Sequence, residues 1–354
     1  MQLIDATGAV ASLPSPVVST GTAPGYFAQV NASNLVPTVV SADFLNCMML
    51  ELANVATSQG ATLSKSNYTQ VLTAIKSLIS TTTRIKLTGN LILYVATTGS
   101  DSNAGTSAAP FLTLQHAISV ATTGYDYAGM NCTINLANGS YVGVASVYGG
   151  LFGTSQPLYI TGNAGAPGNV VLSATSANTL TFNVGSYVIL TGVTVNSSGT
   201  SSTFNGSGYS LVVGNSSLCG IHSCAFGSAG TAQISAVNGG AVTADYTSVS
   251  FSGTSPYGLN ADCGGLIWLY NSPISFASGT TYTGGWALCS QGGSIQLGFN
   301  VFSSTFTGPK YSAGFCGTIA LGYAPSTTTQ QVIPGSAAGY PAVNTLSSTG
   351  GYVG

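Results

Sequence analysis

Charge is what this sequence has least of. Five of its 354 residues are Lys or Arg and seven are Asp or Glu, so 3% are charged, against roughly a quarter in an ordinary globular chain. No basic residue lies between Lys86 and Lys310. That scarcity excludes a nucleic-acid partner, whose binding rests on neutralising phosphates. A chain that is 44% apolar with a net charge of −2 also lacks the low hydrophobicity and high charge of disordered segments. Little charge gives little colloidal repulsion, so the surface is expected to be partly covered by other copies or by an assembly.

Long apolar runs are missing too, which excludes a membrane-spanning helix. No basic stretch followed by an apolar run opens the chain, so no secretory signal is expected. Seven cysteines form no regular framework. Cys219, Cys224 and Cys289 fall on inward-facing positions of the repeat described below and are expected as free, buried thiols. The spacing Cys219, His222, Cys224 resembles a metal site, but side-chain parity turns both cysteines inward and His222 outward. No metal or cofactor is expected.

What the chain has instead is a repeat of pattern without a repeat of residues. With Ser186, Ser217, Gly240, Gly265, Gly293 and Gly317 as anchors, Val188, Cys219, Val242, Ile267, Ile295 and Ile319 stand two residues later. Leu190, Ile221, Ala244, Leu269, Leu297 and Leu321 stand four later, and Val195, Phe226, Val249, Ile274 and Phe302 nine later. Further apolar pairs precede each anchor, from Leu180 and Phe182 to Tyr311 and Ala313. Residues two apart share one side of a strand. Three short strands in each unit of 23 to 31 residues predict stacked coils that bury a common interior, a parallel β-helix. A propeller blade needs about 40 residues.

The asparagines two before successive anchors, Asn215 and Asn238, followed by Cys263 and Gln291, are expected to form an inward ladder at one corner. Upstream, residues 1–90 hold two short amphipathic helices whose apolar faces are expected to be buried against a partner chain. Ser41 caps the first, whose apolar face is Phe44, Leu45, Met48, Leu52 and Val55. Gly60 ends it, and Ser66 starts the second, with Val71, Leu72, Ile75, Leu78 and Ile79 at helical spacing. The β-helix occupies residues 91–335 and opens with a strand from Leu91. A cap helix near 113–122 covers the exposed end with Leu114, Ala117, Ile118 and Ala121 on one face. Residues 336–354 read as a Gly/Ser-rich tail.

Two stretches resemble known families. Residues 24–79, through Pro24-Gly25-Tyr26-Phe27, Pro37-Thr38-Val39-Val40-Ser41-Ala42-Asp43-Phe44-Leu45-Asn46 and Lys65-Ser66-Asn67-Tyr68-Thr69-Gln70-Val71-Leu72, are similar to the virion-proximal segment of tailed-bacteriophage tail fibres and tailspikes. Tyr94-Val95-Ala96-Thr97-Thr98-Gly99-Ser100-Asp101, then Pro110-Phe111 and Leu114-Gln115-His116-Ala117-Ile118, resemble the opening of pectin-lyase-like, right-handed parallel β-helices. The resemblance implies a homotrimeric fibre or spike in the virion, assembled in the host cytoplasm. Phe44, Leu45, Met48, Leu52, Leu72 and Ile75 would hold it to a tail, baseplate or neck protein, and the β-helix would face a host surface glycan.

Tailspike β-helices often cleave polysaccharide, an activity that requires catalytic side chains. Lyases of this fold need a basic residue, and no Lys or Arg lies between Tyr94 and Pro309. Glycoside hydrolysis needs two carboxyls about 5–9.5 Å apart. Asp245 lies five after its anchor and Asp262 three before the next, in different parts of the coil. The expectation is an adhesive, non-enzymatic surface, with a tailspike glycosidase using Asp245 and Asp262 as the alternative. Asp101 and Asp126 read as turn carboxylates, and His116 as a packing residue. Recognition residues are expected in the outward column His222, Asp245 and Tyr270 with Trp268 beside it. The other expected place is the two longest connections, 197–210 and 277–286, which carry Phe204, Tyr209, Tyr282 and Trp286.

Overall fold

Alternation of large apolar with small polar side chains produces short strands that can only bury their inward face by stacking. A computed structural model of the chain describes residues 42–58, 60–82, 84–199, 208–322, 332–339, 345–346 and 352–353. The chain divides into two units between Arg84 and Ile85. The second is a parallel β-solenoid of about seven turns, built from sheets of eleven, seven and nine strands. These are called the first, second and third sheet.

The first sheet carries the strands that follow the anchors, from Tyr187–Thr191 to Thr318–Leu321. Its register puts Val188, Cys219, Val242, Ile267, Ile295 and Ile319 in one column, all fully buried. The third sheet stacks Leu180, Leu211, Ile234, Leu259, Ala287 and Tyr311 in the same way. The glycine anchors have a steric cause. A Cβ on Gly240, Gly265, Gly293 or Gly317 would fall onto the carbonyl oxygen of Val213, Ala236, Ala261 or Cys289 on the preceding coil.

The second sheet keeps the expected column with one break. Val195 lies opposite Phe226 and Ile274 opposite Phe302, but Phe226 faces Phe251 rather than Val249. The turn leading into this sheet grows from Ser223 alone to residues 246–248, so the later strand arrives two residues late. A slip of two preserves which side chains face inward. It aligns Phe226, Phe251 and Phe276 with ring centroids 6.0 and 5.7 Å apart, and the ring of Phe302, which lies opposite Ile274, stacks on Phe276 at 6.4 Å.

Residues 277–286 are not a recognition loop. The connection spans only 277–280, and Thr281–Cys289 is a nine-residue strand of the third sheet. Between the pairs Ser255↔Tyr282 and Tyr257↔Gly285 this strand gains one residue on its neighbour. Such a bulge reverses side-chain parity, and Gly285 accommodates it at φ +127°. Trp286, next to the inward Ala287, is buried as well and stands edge-on to Phe251, Phe276 and Phe302. It is 0% exposed and Tyr282 is 1% exposed. The Tyr282 hydroxyl donates to Gln233 Oε1 at 2.7 Å, and Gln233 Nε2 donates to the carbonyls of Phe226, Gly227 and Ser252.

The inward asparagine ladder is also overturned. Asn215, Asn238, Cys263 and Gln291 do align, at φ 48–51°, but as left-handed turn residues. Asn215, Asn238 and Gln291 are exposed and Cys263 half-buried. Asparagine tolerates that backbone region where most side chains do not, which is why it recurs there. The buried polar column lies one corner further on. Thr247 Oγ1 accepts from Ser223 N at 2.6 Å, and Asn300 Oδ1 accepts from Ser272 N at 3.0 Å.

The opening coil is closed by helix α3 (Leu114–Gly124), whose Leu114, Ala117, Ile118 and Ala121 are buried. Thr113 is its N-cap, accepting from His116 N. Asp101 braces the cap, taking the N–H groups of Leu112 and Thr113 at 2.9 Å and the Thr113 hydroxyl at 2.7 Å. Burial alone would raise the Asp101 pKa. The Thr113 and Leu112 hydrogen bonds and the nearby His116 outweigh it, and the net shift is downward. Asp101 thus adds stability that is present above the pKa of the unfolded chain and lost as pH falls through the lower folded value. Asp101→Ala is expected to cost about 1–2 kcal/mol at pH 7. Urea denaturation should show that gap narrowing below the ordinary carboxylate pKa of 3.8, and a gap unchanged at pH 2 would show that charge is irrelevant.

The helical unit contains α1 (Ala42–Thr57) and α2 (Gln70–Thr82). Gly60 follows the first at φ +75°, while Ser41 lies outside the described residues. The second starts four residues later than Ser66. Asn67 Oδ1 takes the N–H and hydroxyl of Thr69 at 2.9 Å each, holding the preceding residues in a turn.

Candidate functional site

The outer face of the first sheet gathers the polar and aromatic residues that the repeat pattern turns outward. Trp268 lies between Thr243 and Gln296 on adjacent coils, and Tyr270 between Asp245 and Gly298. The absence of a side chain at Gly298 lets the Tyr270 ring lie over it, since a Cβ there would sit 3.0 Å from the ring. Trp268 and Tyr270 are 5.6 Å apart between ring centroids, at 40°. Two turn residues complete the cluster. Tyr246 stands edge-on to Tyr270 at 6.5 Å, and Phe299 at 5.4 Å.

Sequence reasoning placed His222, Asp245, Trp268 and Tyr270 here and missed Tyr246 and Phe299. A signal for the missed pair existed. Both follow directly on the outward column, six residues after an anchor, where Ser223, Tyr246, Asn271 and Phe299 share φ of 49–53°. A left-handed residue at the end of a strand projects its side chain beside the sheet's outer face. Tyr246 is 74% exposed and Trp268 36%, while Tyr270 is half-buried.

His222 and Asp245 approach the cluster from the preceding coils without forming a pair. The ladder between their strands ends at Gly220↔Thr243, two residues short of them. No ion pair or hydrogen bond joins them among the described residues. Each keeps its polar groups directed outward, Asp245 exposed and His222 half-buried.

The other expected site residues go elsewhere. Tyr282 and Trp286 lie in the interior. Tyr209 is 8% exposed and lies just before the third-sheet strand Leu211–Val213. Phe204 lies outside the described residues. Asp262 also belongs to the third sheet and is 1% exposed. Its Oδ1 accepts from Cys263 N and Ser290 Oγ at 2.9 Å, whereas Oδ2 is buried without a partner. Burial pushes its pKa up, with the Ser290 and Cys263 hydrogen bonds opposing. Asp245 and Asp262, the carboxylates of the glycosidase alternative, stand on different sheets, the first exposed and the second buried.

Cys219, Cys224 and Cys289 are free and buried as expected. Burial raises their pKa values, to about 11 for Cys224 and about 12 for Cys289, which leaves them unreactive thiols. Among the described residues no group of three His, Cys, Asp or Glu is placed to hold a metal ion, and no helix is long and apolar enough to cross a membrane. The aromatic face therefore offers ring faces ringed by uncharged hydrogen-bonding groups and one carboxylate. No protein-family model matches the chain, and no curated protein matches it.

Proposed function

We propose that the chain is a structural and adhesive spike of the tail-fibre type, a homotrimer attached to a virion tail, baseplate or neck protein by its N-terminal helices. Its β-helix presents the aromatic face to a host surface glycan. The observation that carries the reading is the cluster of Tyr246, Trp268, Tyr270 and Phe299 on a rigid sheet. Ring faces stack on the apolar faces of sugars while the phenol and indole edges remain wet. A rigid parallel sheet holds those rings at fixed spacing, so little ordering entropy opposes binding.

The helical unit supports attachment. Among the described residues its buried apolar ones are the small Ala53, Ala56 and Ala74, whereas Phe44, Leu45, Met48, Leu52, Leu72 and Ile75 are 38–52% exposed. Leu45, Met48, Leu52 and Val55 follow the alternating three-and-four spacing of a coiled-coil seam. An apolar stripe of that kind is suited to burial against other chains.

The test uses purified full-length chain and immobilised bacterial capsule and O-antigen polysaccharides. The doubly substituted Trp268→Ser/Tyr270→Ser chain should remain folded and lose at least tenfold in affinity for whichever polysaccharide the native chain binds. Undiminished binding by the double variant would overturn the role of this face. Release of oligosaccharides by the native chain, abolished by Asp245→Ala or Asp262→Ala, would overturn the non-enzymatic reading in favour of a glycosidase.

A further inference from the structure

The asparagines that the turns carry outward border a concavity on a different sheet from the aromatic face. A cleft of about 220 Å³ on the outer side of the third sheet is lined by Asn178, Asn183, Asn215 and Asn238, with Tyr209 and Val212 among its other walls. The coils hold these groups in line. Tyr148 pairs with Asn183 in register at one end, and Ser235 pairs with Asn260 at the other. The wall at that end is fixed, since Ser235 is 1% exposed and Asn260 Nδ2 donates to its Oγ at 2.9 Å.

The amides are only partly used by the protein. Asn178 Oδ1 accepts from Tyr209 N at 3.1 Å, and Asn215 Nδ2 donates to Asn183 Oδ1 at 3.2 Å. Among the described residues no protein group meets the NH2 groups of Asn178 and Asn183, the side-chain carbonyl of Asn215, or either end of the Asn238 amide. Donors and acceptors thus converge on one space with bonds to spare. None of the lining residues is charged, so an anionic ligand would find no counter-charge. A carboxamide presents an acceptor and two donors in one plane, which matches neighbouring hydroxyls that each donate and accept. Val212 and the Tyr209 ring supply apolar contact to the carbon skeleton between them.

We infer that this cleft binds a neutral, hydroxyl-rich saccharide, as a site separate from the aromatic face. It shares with the proposed function only the class of ligand, and it stands or falls on its own residues. The informative substitutions are Asn215→Gly and Asn238→Gly. Both positions have φ near +50°, where glycine is at ease, so the amides are removed without straining the turns.

The full chain would be titrated calorimetrically with hexasaccharides from dextran, mannan and galactan as neutral probes, and with a galacturonan hexasaccharide as the acidic one. At least one neutral probe should bind the native chain. Its affinity should fall tenfold or more in the Asn215→Gly/Asn238→Gly chain and persist in Gln291→Gly, which changes the same turn position, at φ 48°, outside the cleft lining. The galacturonan should not displace it. Equal affinity in the double glycine variant, binding confined to the acidic probe, or no neutral probe bound at millimolar concentration would each overturn the proposal. Binding abolished by Trp268→Ser but intact in the glycine variant would assign all recognition to the aromatic face and also overturn it.

Discussion

Trp286→Ala is expected to remove about 3–5 kcal/mol of stability, the usual cost of truncating a buried large aromatic. The indole is fully buried and meets Phe251, Phe276 and Phe302 at centroid distances of 5.5–5.7 Å, so its loss opens a cavity among three stacked rings. Those rings belong to the rigid ladder of the second sheet, which cannot collapse into the space without breaking strand register. One term reduces the loss. Trp286 Nε1 is buried without a hydrogen-bond partner, and removing it relieves a desolvation cost of about 1–3 kcal/mol. Trp286→Phe should therefore be milder than its lost volume suggests. Urea denaturation followed by circular dichroism would measure both. Trp268, the other of the two tryptophans, would report on any disturbance of the outer face. If Trp286→Ala left stability unchanged but abolished glycan adsorption, the residue would be a surface recognition group and its buried placement would be wrong.

That same tryptophan shows where the sequence was legible and where it was not. Every apolar pair at two and four residues after an anchor was readable, because a period of two is local and a buried column tolerates only apolar or small side chains. The capping helix was readable for the same reason, its four inward residues recurring at helical spacing. The bulge at Gly284 and Gly285 was not. It is defined by one extra residue relative to the neighbouring strand, and no residue in the strand announces which coil is the longer. Reading 277–286 as one connection therefore put Tyr282 and Trp286 in a loop, whereas both are buried in a strand that begins at Thr281. The asparagine column failed differently. The residues align as predicted, but the position is a turn with positive φ, so alignment did not imply burial. The aromatic face was legible in its strand residues and incomplete in its turn residues, since Tyr246 and Phe299 owe their position to the same left-handed turns.

The anchors themselves supply the sharpest test of how tightly the coils stack. Gly264 and Gly265 are adjacent, yet they are glycine for different reasons. Gly264 has φ +75° and open space where a Cβ would go, whereas Gly265 has ordinary φ and a Cβ there would fall onto the backbone of Ala236 and Val237. Gly264→Ala should cost about 1–2 kcal/mol, the penalty of a left-handed alanine. Gly265→Ala must instead displace backbone. Gly265 N donates to Asp262 O at 2.9 Å, Leu266 N to Gly240 O at 2.9 Å, and Ser294 N to Gly265 O at 2.8 Å. Moving residue 265 outward therefore stretches ladders on both sides, and overpacking of this kind costs about 1–3 kcal/mol, occasionally more. Because each coil contacts mainly its neighbours, the damage should spread along the solenoid axis. Hydrogen exchange should show loss of protection in the coils at Gly240 and Gly293 as well as at Gly265 itself. Ser217→Ala provides the control, since Ser217 already carries a Cβ at the equivalent position. It should lose only the hydrogen bond that its hydroxyl accepts from Ser186 N at 3.1 Å. A Gly265→Ala chain more stable than Gly264→Ala, with exchange unchanged in the flanking coils, would mean that the anchors are glycine for conformational freedom and not for the close approach of one coil to the next.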